Sequence, residues 1–162
     1  YQINQGAILS PFDAYSLIRG IKTLAIRLDR QAENTQAIID FLTGHQAIET
    51  LYFAGSFSDD EQAIQARQAS GIGAVISFSL KPTYCVKNFL SALEHFDLAA
   101  SLGGVESLIE HVVSMSHQSF SQESLEKLGI TQQLVRLAVG IENKKDLIAD
   151  LKQALNRAEK EV

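Results

Sequence analysis

The chain has 162 residues, of which 46% are hydrophobic, and this is enough to form the core of one domain. Its formal net charge of −5 and its lack of a basic tract exclude a surface for nucleic acid or for an anionic membrane, because both require clustered lysine and arginine. The single cysteine, Cys85, cannot form an internal disulfide, and no spacing of cysteine and histidine suits a metal site.

No apolar run approaches the ~20 residues that cross a bilayer, and the first residues do not resemble a signal peptide. We therefore expect a cytoplasmic protein. The chain starts at Tyr1 and its only methionine is Met115, so we expect it to be a piece of a longer polypeptide.

The first predicted element is a long helix over residues 10–44. Ser10 is suited to the N-cap, Pro11 to the first turn, and Asp13 completes the start signal. Apolar residues then recur with a period of about 3.6 residues until Gly44 offers a stop. Because such a helix would span about 50 Å, we expect it to link this domain to a preceding one.

The middle of the chain alternates short apolar segments with polar turns. The pattern predicts strands over residues 48–53, 74–80 and 96–99, and helices over residues 61–69 and from Tyr84. Towards the end, it predicts a brief helix between Ser121 and Gly129, a strand over 135–139 and a helix capped by Asn143. These elements indicate an α+β, two-layer sandwich with a mainly antiparallel sheet of about four strands and helices on one face.

Arg136 is the most informative single residue. It lies in an apolar, strand-like run over residues 134–140, where an unpaired guanidinium would cost several kcal/mol of desolvation. It therefore requires an anionic partner. Two kinds remain open: a carboxylate of this chain, with Glu106 and Glu142 as candidates, or an anion bound in a cleft.

Two motifs carry a resemblance to a known family. They are SLGGVESL at residues 101–108 and LVRLAVG at 134–140, and the segments 10–15, 19–24, 140–142 and 146–151 support them. The chain resembles the cysteine and methionine metabolism enzymes that use pyridoxal phosphate. This is the transsulfuration family of cystathionine γ-synthase, cystathionine β-lyase, cystathionine γ-lyase and methionine γ-lyase.

The resemblance implies substrate-binding roles for four residues. Arg136, in the pattern L-x-R-x-x-x-G, matches the arginine that binds the substrate α-carboxylate, and Ser101 with the adjacent Leu102 matches the segment that helps to seat it. Ser116 matches a hydroxyl residue of the same pocket. From the residues alone, Ser101 is also a plausible turn residue before two glycines, and Ser116 a strand-edge serine that bonds its own backbone.

The chain also departs from the family pattern. Ala100 stands where some members carry glutamate, so the choice among β-elimination, γ-elimination and γ-replacement stays open. Residues 111–113, 52–55 and 58–61 lack prolines or a histidine that the family commonly has. We therefore expect a divergent member.

The resemblance further implies a pyridoxal phosphate cofactor joined covalently to a lysine, but none of this chain's eight lysines has the family's context. We accordingly expect residues 1–162 to be a single domain, the small C-terminal domain of a fold-type I enzyme, and to be inactive alone. The resemblance implies a sulfur amino acid substrate (cystathionine, or activated homoserine with cysteine), an N-terminal domain that holds the cofactor, a homotetramer and no metal. The alternative is a stand-alone regulatory domain that binds an amino acid without catalysis.

Overall fold

The computed structural model describes residues 6, 8–56 and 58–159. In this part of the chain the helices are α1 (Pro11–Ile21), α2 (Leu24–Leu42), α3 (Asp59–Gln68), α4 (Val86–Ala92), α5 (Gln122–Lys127) and α6 (Lys144–Ala158). The strands are β1 (Ile48–Tyr52), β2 (Val75–Leu80), β3 (Asp97–Leu98), β4 (Leu108–His111) and β5 (Leu134–Ala138).

The strands form one sheet in the order β1-β2-β5-β4-β3. The first three neighbouring pairs are antiparallel, whereas β3 pairs in parallel with β4 at one edge. The prediction of about four mainly antiparallel strands is thus corrected to a mixed sheet of five. Strand β4 was not predicted, because only four residues separate Ser107 from the turn that begins at Val112.

The predicted single helix over residues 10–44 is wrong. The chain turns at Lys22 and Thr23, which separates α1 from α2. The Gly20 carbonyl accepts the Thr23 amide at 3.4 Å and the Arg27 guanidinium at 2.9 Å, so these bonds are made at the break between the helices. A glycine near the end of a helix weakens its continuation. The Thr23 hydroxyl also donates to the Gly20 carbonyl, at 3.4 Å, and does not cap α2.

Several predicted boundaries are confirmed. The Ser10 hydroxyl accepts the Asp13 amide, and the Asn143 side chain accepts the Lys145 amide at the start of α6. Gly44 ends α2 with a φ of +73°, a conformation that glycine adopts without strain. The strand predicted over residues 96–99 shortens to β3. No helix among the described residues is long and apolar enough to cross a membrane.

One face of the sheet forms the hydrophobic core. Because alternate residues of a strand point to the same face, Ile76, Phe78, Val135 and Leu137 lie together, and all are nearly or completely buried. Helices α2, α4 and α6 contribute most of the remaining core residues, and both α2 and α4 contact α6. We call this the helix-covered face.

The opposite face carries the polar residues. Ser77 of β2 and Glu110 of β4 are the two cross-strand partners of Arg136 of β5, so the three side chains lie side by side on it. We call this the arginine face. The period of two along β5 therefore directs Arg136 away from the core that its neighbours Val135 and Leu137 build.

Candidate functional site

An ion pair on the arginine face is the centre of the candidate site. Nη1 of Arg136 lies 3.0 Å from Oε1 of Glu110, which is 1% exposed, whereas the Arg136 side chain is 27% exposed. Arg136 therefore does have a carboxylate partner in this chain. The expectation that this partner would be Glu106 or Glu142 is wrong, because neither carboxylate contacts Arg136 in an ion pair while the unpredicted β4 places Glu110 directly opposite.

Arg136 nevertheless keeps donors free. A guanidinium has five N–H donors. One meets Glu110, and Nη2 donates to the backbone carbonyl of Ser101 over a long 3.4 Å. No other described residue accepts from Arg136. The partly exposed guanidinium is thus held at one side and has free donors at the other, which suits a two-pronged bond to a second carboxylate.

The structure brings Ser101 to Arg136 through the backbone. Both Ser101 and the neighbouring Leu102 are exposed, with Leu102 at 57%, and the segment turns at Gly103, whose φ of +83° is a glycine conformation. The hydroxyl of Ser101 makes no hydrogen bond with the described residues, and the side chain of Leu102 is apolar. The contact between this segment and Arg136 is therefore made by the Ser101 carbonyl.

The segment around Ser101 is anchored further along by Glu142. Its carboxylate accepts the Ser107 amide at 2.6 Å and the Ser107 hydroxyl at 2.8 Å, and the same hydroxyl accepts the Gly140 amide at 2.8 Å. The Ile141 amide donates to the carbonyl of Val105 at 2.9 Å. These bonds tie the segment 101–108 to the end of β5, so the two sequence motifs form one structural unit.

Gly140 is required by this close approach. A Cβ at this position would meet the Val105 carbonyl oxygen and the Glu142 carboxylate, both far inside contact distance. Helix α2 adds a second tie, because Asn34 donates to the carbonyls of Gly140 at 3.0 Å and Glu142 at 2.9 Å. The last residue of L-x-R-x-x-x-G must therefore be glycine, because the packing leaves no space for a side chain.

Ser116 reaches the same cluster from the turn that follows β4. Its hydroxyl donates to Oε1 of Glu110 at 3.3 Å, lies 2.9 Å from Nδ1 of His117, and makes a weak 3.5 Å bond to the Val112 carbonyl. Ser116 lies in a turn and not at a strand edge. Its backbone bond supports the structural interpretation, and its contact with Glu110 places it next to the carboxylate that holds Arg136.

Sequence reasoning missed Glu110, although a signal was present. Glu110 interrupts the apolar residues Leu108, Ile109 and Val112 just as Arg136 interrupts β5, and the same desolvation argument applies to a carboxylate. The polar anchors Gln31 and Asn34 were also missed, because a helix polar residue gives no sign of the backbone that it meets.

The described residues do not fit a pyridoxal phosphate site. None of their lysines is buried, and none of them forms an ion pair or hydrogen bond with Glu110 or Ser101. Lys127 and Lys144 instead pair with surface glutamates. The described residues also include no group of three or more side chains that suits a metal ion. The free donors of Arg136 can bind and orient an anion.

The fold and the site define an α+β domain with a partly exposed arginine, paired with a buried glutamate, on one face of its sheet. The family of Cys/Met metabolism PLP-dependent enzymes matches this chain over residues 1–156, and the chain belongs to this family. The resemblance carried by the two motifs is thereby confirmed, as is the expectation of a family that depends on pyridoxal phosphate.

Relatives with three different names share this domain. A cystathionine beta-lyase of Lactococcus lactis subsp. cremoris is 44% identical over 152 residues, covering 94% of this chain and 40% of that protein. The structure of a cystathionine gamma-lyase of Lactobacillus plantarum complexed with L-serine matches with a TM-score of 0.90 at 36% identity, over 97% of this chain and 41% of the other.

A third match is a cystathionine gamma synthase of Xanthomonas oryzae pv. oryzae in complex with aminoacrylate and cysteine. It has a TM-score of 0.85 and 44% identity, over 91% of this chain and 38% of the other. The chain thus spans about two fifths of the length of each of these relatives.

Proposed function

We propose that this chain is the C-terminal, substrate-closing domain of a longer pyridoxal phosphate-dependent enzyme that acts on a sulfur amino acid, and that Arg136 binds the substrate α-carboxylate. The observation that carries the proposal is the partly exposed guanidinium, which is paired with Glu110 on one side and keeps free donors on the other. Family membership supports the class of enzyme.

The residues of this chain act on the substrate and not on the cofactor. Pyridoxal phosphate stabilises carbanions, and its site lies outside the described residues under this proposal. Arg136 forms two parallel charge-assisted bonds to the α-carboxylate, and the Ser101 carbonyl and Glu110 restrict its movement. Fixing the carboxylate fixes the orientation of the Cα–H bond, which is the positioning that proton removal requires.

The reaction and the substrate are proposed only to the level of the class. Cystathionine, or activated homoserine with cysteine, fits the relatives' names, and those names include β-lyase, γ-lyase and γ-synthase. The residue at position 100 is alanine, so this chain supplies no carboxylate there to select among these reactions. A homotetramer in the cytoplasm remains our expectation for the full-length enzyme.

The test is Arg136→Lys in the full-length protein that contains this chain. Arg136→Ala is less informative, because it would leave the buried Glu110 without a counter-charge. Lysine keeps a positive charge for Glu110 and removes the fork. We expect kcat/KM for cystathionine to fall by about tenfold to a hundredfold, as the loss of one charge-assisted bond implies, with an unchanged melting temperature.

The matched control is Arg67→Lys, since Arg67 is exposed on α3 and lies outside the site. It should leave kcat/KM unchanged. An Arg136→Lys enzyme with native kcat/KM would overturn the role of Arg136. Amino-acid binding by the 162-residue chain alone, combined with no turnover by the full-length protein, would support the regulatory domain instead.

A further inference from the structure

We infer that Glu110 is a positioning residue that holds the Arg136 guanidinium in the orientation that receives the substrate carboxylate. The inference rests on the proposed function, because it specifies how the carboxylate site is oriented. Glu110 does not itself contact the substrate in this account. It acts through Arg136.

The geometry gives Glu110 a direct hold on Arg136. The two residues are cross-strand partners on β4 and β5, and the bond between Oε1 and Nη1 is 3.0 Å long. Since both backbones belong to the sheet, neither side chain can move away without leaving its rotamer. The Ser116 hydroxyl donates a second hydrogen bond to the same oxygen, at 3.3 Å.

The second oxygen of Glu110 argues against a purely structural role. Oε2 is buried and has no hydrogen-bond partner among the described residues. A buried carboxylate with an unsatisfied oxygen destabilises a fold, and a well-packed apolar side chain would cost less. Asp150, the other buried carboxylate, instead accepts bonds at both oxygens from the amides of Glu94 and His95 and from Gln153.

The charge of Glu110 and its hydrogen bond have opposite effects on a bound carboxylate. The charge weakens the attraction between Arg136 and a substrate anion, whereas the bond to Nη1 fixes the direction of the fork. These effects can be separated, because glutamine keeps an acceptor for Nη1 without the charge, while methionine has a similar size and offers no comparable acceptor. If orientation is the contribution of Glu110, glutamine should replace it and methionine should not.

The experiment compares Glu110→Gln with Glu110→Met in the full-length enzyme loaded with its cofactor. The probes are L-alanine and L-alaninamide, which carry a carboxylate and an uncharged carboxamide respectively at the same position, and their dissociation constants are measured by calorimetry. The measured quantity is the ratio of the two constants, together with KM and kcat for cystathionine. Glu123→Met, which breaks the exposed pair with Lys127, is the control.

We expect Glu110→Met to lower the preference for L-alanine by about tenfold and to raise KM more than it lowers kcat. Glu110→Gln should retain the preference to within about threefold, and Glu123→Met should retain it fully. If Glu110→Met does not fold, Glu110→Ala replaces it. Alanine leaves space on the arginine face in which water can solvate the Arg136 guanidinium.

The outcomes separate this inference from the proposed function. If Arg136→Lys loses the preference and Glu110→Met keeps it, Glu110 has only a structural role and the inference is overturned. If Arg136→Lys keeps the preference, Arg136 does not bind the carboxylate and the proposed function fails first. If Glu110→Gln and Glu110→Met lose it equally, orientation by the hydrogen bond is refuted.

Discussion

The two faces of the sheet use the same strands for different purposes. On the helix-covered face, Phe78 and Leu137 are completely buried, and Phe78 meets Phe89 of α4 edge-on with ring centroids 5.9 Å apart. On the arginine face, the adjacent positions Ser77 and Arg136 are partly exposed and polar. Neighbouring residues in one strand therefore belong either to the buried core or to the polar face, and under our proposal the polar face binds the substrate.

The largest expected effect sharpens this contrast with two adjacent substitutions. Phe78→Ala should lower the free energy of unfolding by about 3–5 kcal/mol, because it removes a completely buried aromatic ring. Ser77→Ala should change it by no more than about 0.5 kcal/mol. Urea unfolding of both variants measures the difference, and equal losses would remove the distinction between the faces.

The next effect concerns the two buried carboxylates. Asp150→Ala should cost about 2–3 kcal/mol, because it leaves the amides of Glu94 and His95 without an acceptor near the end of α4. Asp150→Asn, which keeps an acceptor, should lose less and serves as the control. A Glu110→Met variant that loses more stability than Asp150→Ala would contradict the separation of a structural from a positioning carboxylate.

A third substitution tests whether the arginine face depends on its anchored segment. Gly140→Ala introduces a methyl group against the Val105 carbonyl, and the overpacking should cost about 1–3 kcal/mol. Because it displaces the segment that carries Ser101, KM of the full-length enzyme should also rise. Gly71→Ala, at a position with open space around the new methyl, is the matched control and should leave KM unchanged.

The smallest effect is a pH dependence away from both faces. Burial lowers the pKa of His45 from its ordinary 6.5, and Nδ1 accepts the Ala47 amide at 3.2 Å only when it is unprotonated. The folded state thus favours neutral His45, so its contribution to stability is complete above pH 6.5 and is lost as the pH falls through the lowered pKa. His45→Asn keeps an acceptor but does not titrate in this range. The melting temperature of this variant should therefore change less between pH 7 and pH 5 than that of the native chain.

The sequence predicted those parts of the fold that have local causes. Ser10 and Asn143 start helices through their own side chains, and β2 and β5 show in their apolar runs. The break near Gly20 was missed because an apolar period continues across it. Such a period records which side chains are apolar and not whether each hydrogen bond of the helix forms.

Of the ion pair at the candidate site, the sequence predicts the arginine but not its carboxylate partner. A charge in an apolar strand requires a partner, which identifies Arg136, but the sequence offers only candidates for it: Glu106, Glu142 or a bound anion. Choosing between carboxylates requires the strand register, and the register places Glu110 opposite Arg136. The Glu142 carboxylate instead accepts the Ser107 amide, a tertiary contact that the local sequence does not encode.

The two outer strands of the sheet also bear on how the chain behaves in crowded solution. Unpaired strand edges recruit other chains into extended, insoluble sheets unless they are short, bent or charged. β3 at one edge has only two residues, one of them Asp97, and the pairing of β1 at the other edge is irregular between Ile48 and Thr50. Each edge thus offers few regularly spaced backbone groups with which another strand could pair. This disfavours amyloid-like growth from the folded domain.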